Sequence, residues 1–309
     1  MKYFNEKRFY SLNQFLREKF GDKVCKISID GGFSCPNRDG NIGSTGCIYC
    51  SERGSGDFAG SRNLAIDQQF EQVKKVMNNK WKSGKYIAYF QAYTNTYAPV
   101  NILREKYYQA IEKEGVVALS VATRPDSISE EALDLLEEIN KKTYTFIELG
   151  LQTSNEETAK LINRGYPLSV FEDALKRIRK RNIDVVVHII FGLPGENKGN
   201  MLDTVKYLSS QDIQGIKFHL LHLLKNTPLV DLYNKGGFRF LTEEEYIDIL
   251  TDSIGLLPEN IVIHRLTGDA PRELLIGPMW SLKKWEILNS IDKTLKDKNI
   301  YQGLYYHTN

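Results

Sequence analysis

Residues 35–50 read CPNRDGNIGSTGCIYC and hold three of the four cysteines of the chain, in the spacing C-x11-C-x2-C. The segment directly follows the run VCKISI at 24–29, which has the length and residue types of a short β-strand. Glycine, asparagine and aspartate residues fill much of the eleven-residue gap, so the backbone can curve around a compact inorganic group. Such clustering of cysteines, in a chain whose start lacks a secretory signal, favours a metal site over disulfide bonds.

Three cysteine thiolates suit a [4Fe–4S] cluster with one open iron. Cys35, Cys47 and Cys50 would each ligate one iron of the cubane. Electron-transfer clusters take four cysteines, so a missing fourth thiolate leaves an iron available to a small molecule.

The fourth cysteine, Cys25, is predicted to be buried core, because it shares a strand face with Ile27 and Ile29. The alternative is a structural zinc site, made from all four cysteines or from three of them and a histidine such as His188. The spacing lacks the second cysteine pair that is usual in zinc sites, which favours the iron–sulfur interpretation.

Short apolar runs alternate with amphipathic stretches over the first 221 residues. The predicted strands lie at 24–29, 86–90, 116–121, 146–151, 185–190 and 215–221. The stretches between them carry apolar residues at three- and four-residue spacing, which predicts helices. Parallel strands joined by right-handed helical crossovers form a barrel or an open sheet, and six units favour an incomplete barrel. We therefore expect an α/β fold, a partial (β/α)6 TIM-type barrel with an N-terminal helix over 1–221, and an α/β extension over 222–309 that closes the barrel and contributes to the substrate pocket.

Charge and hydropathy limit the classes of function. Lys and Arg number 41 and Asp and Glu number 39, which gives a net charge of +2. This balance excludes the broad basic field of a general nucleic-acid binder. No stretch approaches the roughly 18 apolar residues of a membrane helix, so we expect a cytoplasmic protein with no membrane span.

Polar segments follow the predicted strands at the end where α/β barrels carry their chemistry. After strands one to five these segments are GGFSCPNRDG, QAYTNTY, ATRPD, LQT and FGLPGE; Glu148 and His188 lie within strands four and five, and Lys217, His219 and His222 lie in or beside strand six. Each alone could be a helix cap, a tight turn or a core histidine. Their convergence with three cysteines on one face predicts an active site.

The chain resembles the YhcC/YtqA-like radical S-adenosylmethionine (SAM) proteins, a branch close to the elongator-type radical SAM domains, in the strings GGFSCPNRDG, YFQAYTNT, TRPD, ELGLQT, NRG, GLPGE and GIKFHLLH. The resemblance runs from about residue 5 to residue 290. The long cysteine gap departs from the commoner C-x3-C-x2-C of radical SAM enzymes. The resemblance implies a cluster at the barrel mouth, with SAM on its open iron. It also implies cleavage of SAM to a 5′-deoxyadenosyl radical that abstracts hydrogen from a substrate, and an external one-electron reductant such as flavodoxin or ferredoxin.

The resemblance also implies roles for individual residues around SAM. Tyr49 would lie near the adenine, and Gln91 to Asn95, including Tyr93 and Thr94, would contact the amino group. The ribose and carboxylate would be held by Arg124, Glu148, Gln152 and Arg164, and His188 is assigned to the same SAM-binding set.

The resemblance extends to a bacterial queuine lyase, which cleaves the C–N bond between the cyclopentenediol and the 7-deazaguanine methylamine. We therefore expect a free modified purine, with queuine as the best specific candidate, and keep tRNA or another nucleobase as the alternative. The candidate substrate contacts are Asp30, Tyr93, Lys217, His219 and His222, with His264, Arg265, Asp269 and Arg272 from the extension. The carboxylate of Asp30 or Asp269 would accept hydrogen bonds from the N–H groups of such a base. Tyr3 and Phe4 belong either to a lid or to an amphipathic helix.

Two other classes compete with an enzyme. A zinc- or cluster-stabilised RNA-binding module would need a basic, aromatic face, which the sequence lacks. An electron-transfer iron–sulfur protein would need a fourth cysteine ligand.

Overall fold

The computed structural model describes residues 7–80 and 84–307, and the predicted lid residues Tyr3 and Phe4 lie outside this part. Its strands are β1 (Val24–Ile29), β2 (Lys85–Phe90), β3 (Val116–Thr123), β4 (Tyr144–Gln152), β5 (Asp184–Phe191), β6 (Gly215–Leu220), β7 (Leu223–Leu224), β8 (Val262–Arg265) and β9 (Leu275–Gly277). Its α-helices are α1 (Leu12–Phe20), α2 (Ile66–Lys80), α3 (Val100–Ile111), α4 (Glu130–Asn140), α5 (Glu156–Leu161), α6 (Leu168–Arg179), α7 (Lys198–Ser209), α8 (Leu229–Asn234), α9 (Glu243–Leu256) and α10 (Lys284–Asp297). Within these ranges, no helix is long and apolar enough to cross a membrane.

Seven parallel strands form one curled sheet in the order β1-β2-β3-β4-β5-β6-β8. The six predicted strands are confirmed, with ends within two residues of those expected. The seventh strand, β8, comes from the extension and pairs with the first half of β6, Gly215–Lys217. The helix α9 makes this possible, because it carries the chain back along the outside and packs on α7 and α10. The partial barrel is therefore correct, and its sheet continues past residue 221.

Side chains that point into the barrel form three layers, because alternate residues of a strand face the same side. The lowest layer is apolar and is plugged by Leu16 of α1; it contains Val24, Ile87, Ala118, Phe146 and Val186. The middle layer, which we call the polar layer, takes one residue from each of β1 to β6, namely Lys26, Tyr89, Ser120, Glu148, His188 and Lys217. The upper layer faces the barrel mouth and contains Ser28, Gln91, Ala122, Gly150, Ile190 and His219.

The outward faces of the strands form the main core with the helices. Cys25 is 5% exposed and belongs to this core together with Ile27 and Ile29, so its predicted burial is confirmed. It faces away from Lys26, its neighbour in the strand, which lines the barrel interior. Cys25 is therefore on the opposite side of the sheet from the barrel mouth.

The extension also builds a second apolar cluster beside the mouth. Its strands β7 and β9 pair antiparallel, and α8 follows directly. The cluster combines residues of the barrel and of the extension, namely Ile162, Ile190, Leu193, Leu221, Leu223 and Leu229. Ile48 and Tyr49, which lie between the last two cysteines, pack against it. The extension thus contacts the cysteine segment directly.

Candidate active site

A cavity of about 500 Å³ occupies the barrel mouth and reaches down to the polar layer. The three cysteines Cys35, Cys47 and Cys50 line its rim. The extension contributes His222, Leu224, His264, Arg265, Asp269, Ala270 and Pro271 to its wall. Its volume lies in the usual range for small-molecule sites.

The polar layer at the cavity floor is organised by Glu148, whose side chain is fully buried. One carboxylate oxygen accepts hydrogen bonds from Lys26 Nζ at 2.7 Å and Ser120 Oγ at 2.8 Å. The other accepts from His188 Nε2 at 2.8 Å and from Lys217 Nζ. Both oxygens therefore have two donors each, and contact between Glu148 and SAM stays a prediction that would require an exchange of partners.

The protonation states of this layer follow from its contacts. Burial alone would raise the pKa of Glu148, but the charges of Lys217 and Lys26 outweigh it and hold that pKa well below its usual range. Burial, together with the charge of Lys217, lowers the pKa of His188 to about 4. His188 is therefore neutral near pH 7, and its Nε2 carries the proton that Glu148 accepts.

Residues 35–50 form an irregular loop that we call the cysteine loop. Arg38 closes its outer part, because its Nη2 donates to the carbonyls of Cys50 at 2.8 Å and Ser51 at 2.7 Å. Asn37 is 1% exposed and its Nδ2 lies 3.8 Å from Cys47 Sγ. Ser55 Oγ lies 3.9 Å from Cys50 Sγ. The sulfur atoms therefore have polar neighbours that suit bound, negatively charged thiolates.

The thiols fit an iron–sulfur cluster better than a single ion. Burial and the neighbouring Cys50 raise the pKa of Cys47 to about 11, so its thiolate needs a nearby cation, which iron would supply. Among residues 7–80 and 84–307, no three Cys, His, Asp or Glu side chains are placed to share one metal ion. A cubane spreads its thiolates over separate irons, whereas zinc gathers four ligands around one centre. The side chain of Cys25 lies in the core on the outer face of β1, which further disfavours a four-cysteine zinc site.

The segment after β2 binds the residues that flank the cysteine loop through three residues that were predicted to contact the SAM amino group. Gln91 Nε2 donates to the carbonyl of Ser55 at 2.8 Å, Tyr93 OH donates to that of Glu52, and the backbone N–H of Thr94 donates to that of Ser34. The three residues also line the cavity. Contact with SAM stays a prediction for them, next to this observed supporting role.

The two arginines predicted to hold the ribose and carboxylate have strong protein partners. Arg124 forms a bidentate pair with Asp126, with N–O distances of 2.9 and 2.6 Å, and it lines the cavity. Arg164 is 1% exposed and donates to the carbonyls of residues 151, 153 and 166 and to Glu156. These contacts use four of its five N–H groups and leave one for a ligand.

Tyr49 and Gln152, the other residues assigned to SAM, also line the cavity. Gln152 has a left-handed φ of 70°, directly after an irregularity in the β4–β5 pairing that turns the end of β4. A hydrogen bond links Tyr49 to Cys47, beside the rim. Both stay predictions as SAM contacts.

Three histidines, His219, His222 and His264, also line the cavity. His219 Nε2, His222 Nε2 and His264 Nδ1 are buried and have no hydrogen-bond partner among the residues that the structure describes. Burial lowers the pKa of His222 to about 4 and those of His219 and His264 well below their usual range, so all three are neutral at pH 7. Unpartnered buried nitrogens are costly unless a ligand satisfies them.

The cavity is lined by seven of the predicted substrate contacts, namely Tyr93, Lys217, His219, His222, His264, Arg265 and Asp269. Asp269 lies 3.4 Å from Arg265 and 2.7 Å from Lys284. Asp30 and Arg272 are not among the lining residues, and substrate contact stays a prediction for both. The carboxylate of Asp30 accepts from the N–H of Gly32 at 2.9 Å and faces Arg62, so it shapes the turn that leads into the cysteine loop.

The sequence interpretation missed three members of the polar layer, Lys26, Tyr89 and Ser120. Lys26 could have been found, since it alternates with Cys25 and must therefore face the barrel when Cys25 faces the core. Tyr89 and Ser120 lie in apolar runs, where a single polar residue gives no separate signal.

Comparison with known proteins identifies the family. The profile of the Radical SAM superfamily matches residues 37–208, and that of the Radical_SAM C-terminal domain matches 213–297. The chain belongs to the radical SAM superfamily. It therefore uses a [4Fe–4S] cluster and SAM. Radical SAM chemistry takes one electron from the reduced cluster to split SAM into methionine and a 5′-deoxyadenosyl radical, which removes a hydrogen atom from a substrate.

Two relatives cover almost the whole chain. The radical SAM protein described here is 50% identical to YtqA of Bacillus subtilis over 301 residues, which span 97% of this chain and 94% of YtqA. It is 35% identical to YhcC of Escherichia coli K12 over 286 residues, 92% of this chain and 91% of YhcC. The predicted YhcC/YtqA-like family is thus confirmed.

Solved structures support the fold. Elp3 of Methanocaldococcus infernus, lacking its N-terminus, has a TM-score of 0.67 and 18% identity, over 90% of this chain and 64% of Elp3. Methylornithine synthase (PylB) has a TM-score of 0.52 and 16% identity, over 94% of this chain and 86% of PylB. At these low sequence identities, the structural similarity supports a shared fold and carries no statement about function.

Proposed function

We propose that this radical SAM enzyme binds its cluster through Cys35, Cys47 and Cys50 and acts on a small, nitrogen-rich ring compound, with queuine as the best specific candidate. The reaction would break the C–N bond of queuine and release 7-aminomethyl-7-deazaguanine. One observation carries the substrate class: three neutral histidines line the cavity, and each has a buried ring nitrogen without a hydrogen-bond partner among the described residues.

Polar groups on the cavity wall match the edge of a 7-deazaguanine. Such a ring offers a carbonyl oxygen that accepts hydrogen bonds and N–H groups that donate them. Lys217, at the floor, is a donor, and Asp269, at the wall, is an acceptor. The imidazole nitrogens of His219 and His222 can serve either role, because a neutral imidazole has one donor and one acceptor.

A free base fits the charge and the position of the site better than tRNA. The net charge of the chain is only +2, and a tRNA-acting enzyme would need a basic track that leads to the barrel mouth. Residues of the extension, including Arg265 and Asp269, cover one side of the cavity. A small ligand between this wall and the polar layer would be enclosed, which also protects a radical intermediate from side reactions.

The test incubates the reconstituted, reduced enzyme and SAM with queuine and, separately, with tRNA that contains queuosine. Mass spectrometry follows 5′-deoxyadenosine and the released aminomethyl-deazaguanine. We expect turnover of the free base, with little dependence on salt concentration, because no phosphate contacts are needed. Turnover of the tRNA alone would refute the free-base proposal. If neither compound is converted, queuine is excluded and the search moves to other ring compounds.

We also propose the type of reductant, from the chemistry of SAM cleavage. Cleavage of SAM consumes one electron in each turnover that does not regenerate SAM, so an external one-electron donor such as flavodoxin or ferredoxin is required. Replacing chemical reductant with each purified donor, and measuring 5′-deoxyadenosine, would identify which one supports the reaction.

A further inference from the structure

The peptide units around Cys47 are each held by hydrogen bonds from outside the cysteine loop. The carbonyl of Gly46, in the peptide that joins it to Cys47, accepts from Asn163 Nδ2 at 2.7 Å. The N–H of Ile48, in the next peptide, donates to the carbonyl of Ile162 at 3.1 Å. The carbonyl of Ile48 accepts from the N–H of Leu229, the first residue of α8, at 3.0 Å. The barrel and the extension thus both form hydrogen bonds with this part of the loop.

The side chain of Asn37 completes the arrangement from within the loop. Its Nδ2 donates to the carbonyl of Asn163 at 2.7 Å and lies 3.8 Å from Cys47 Sγ. The carbonyl of Asn37 also accepts from the N–H of Gly46 at 2.7 Å. Asn37 thus donates to Asn163, and Asn163 in turn donates to Gly46, across the junction between the loop and the end of α5; we call this pair the asparagine clasp.

The conformation of Asn163 serves the clasp. Its φ is 54°, in the left-handed region, where asparagine is one of the few residues tolerated besides glycine. This backbone turns its carbonyl toward Asn37 while its side chain reaches Gly46. A loop with an eleven-residue gap between its first two cysteines has more conformational freedom than a three-residue gap, so fixing its far end requires contacts of this kind.

We propose that Asn163 is a positioning residue that places the Cys47 sulfur for the cluster. This inference rests on the proposed ligand assignment. With the clasp intact, Cys47 is presented from a rigid backbone. Without it, the loop end moves and the iron bound there is released more easily, because ligand placement controls the stability of such sites.

The experiment compares three variants after anaerobic reconstitution. Asn163→Asp keeps the size of the side chain but points an acceptor at the Gly46 carbonyl. Asn163→Gly keeps the left-handed backbone and removes only the amide group. Asn182→Asp is the matched control, an exposed asparagine with a φ of 54° after α6, far from the cysteine loop in the fold. Iron release to a chelator gives the rate, and electron paramagnetic resonance of the reduced cluster reports its environment.

We expect both Asn163 variants to release iron about tenfold faster than wild type, the factor that the loss of one ordinary hydrogen bond corresponds to. Their resonance spectra should also change, whereas Asn182→Asp should match wild type in both measurements. Wild-type release rates in both Asn163 variants would overturn the proposal, and so would an equal acceleration in Asn182→Asp, which would indicate general destabilisation.

A fourth variant separates this proposal from the one on which it depends. Cys47→Ala should lose the cluster in the same preparation. If Cys47→Ala keeps a full cluster, the ligand assignment is wrong. If Cys47→Ala loses it while the Asn163 variants behave as wild type, only the clasp is refuted.

Discussion

Replacing Glu148 with glutamine should destabilise the protein strongly, because Glu148 is the only carboxylate in the polar layer. Glutamine has nearly the same shape but no charge. Its amide nitrogen is a donor, and it would face side-chain donors whose hydrogen bonds the carboxylate oxygen now accepts. Lys217, whose side chain is 7% exposed, and Lys26, at 20%, would lose this carboxylate partner. Removing one member of a buried ion pair costs about 3–5 kcal/mol, a large share of the roughly 5–15 kcal/mol that stabilises a typical domain.

The measurement is urea unfolding followed by circular dichroism, at pH 7 and again near pH 10. The cost should be smaller at the higher pH, because a buried lysine that has lost its carboxylate partner costs less free energy once it is neutral. The matched control is Glu138→Gln. Glu138 pairs with Arg104 at 2.7 Å, but both side chains are well exposed, at 39% and 48%. An exposed pair of this kind contributes about 0–1 kcal/mol.

A double variant gives a second check. The double variant Glu148→Gln, Lys217→Met no longer buries a lysine that lacks its carboxylate partner, so it should be more stable than Glu148→Gln alone. The reasoning is refuted if Glu148→Gln costs no more than Glu138→Gln, or if Lys217→Met brings no recovery.

Three further predictions concern the ligands, pH and substrate. Alanine at Cys35, Cys47 or Cys50 should abolish the iron–sulfur absorbance, while Cys25→Ala should keep it with a modest loss of stability; a cluster lost only in Cys25→Ala would reverse the assignment. Burial lowers the pKa of His188 from about 6.5 in the unfolded chain to about 4 in the folded protein. His188 therefore favours folding above pH 6.5, and this contribution, about 3 kcal/mol, is lost as the pH falls toward 4. Between pH 7 and 4, the free energy of unfolding should depend less on pH in His188→Gln than in wild type, and an unchanged pH dependence would contradict the lowered pKa. Finally, Asp269→Asn should raise the KM for queuine about tenfold and leave SAM cleavage without substrate unchanged; an equal loss in both assays would place Asp269 outside the substrate site.

The strand positions and the three-cysteine motif could be predicted from the sequence, because both depend on local patterns. The run VCKISI alternates with period two and is followed by turn-forming residues, which fixes β1 and the start of the cysteine loop. Cys25 was correctly predicted as core for the same reason. The seventh strand of the sheet, β8, was not predicted as part of the barrel, because its pairing with β6 depends on how α9 packs.

The contacts within the site were harder to predict, because they join residues far apart in the chain. Glu148 meets Lys26 across 122 residues and Lys217 across 69, and nothing local to Glu148 indicates that its oxygens are saturated. Asn37 and Asn163 look like ordinary turn residues in their own segments, and the hydrogen bond between them appears only when α5 reaches the cysteine loop. Asp30 shows the same difficulty, because a strand-end aspartate can serve a turn as well as a ligand.

The shortness of β8 has a consequence for how this protein and its relatives can diverge. β8 pairs with only the first half of β6, so beside His219 the wall is built by the segment 266–271 rather than by a strand. Insertions and substitutions in such a segment leave the sheet ladder intact, whereas changes in the cysteine loop would disturb bonds to both the barrel and α8. Substrate range can therefore drift across the family on one side of the cavity while the radical-generating side stays fixed. We predict that a swap of residues 266–271 between this chain and YhcC would alter substrate binding without altering the cluster.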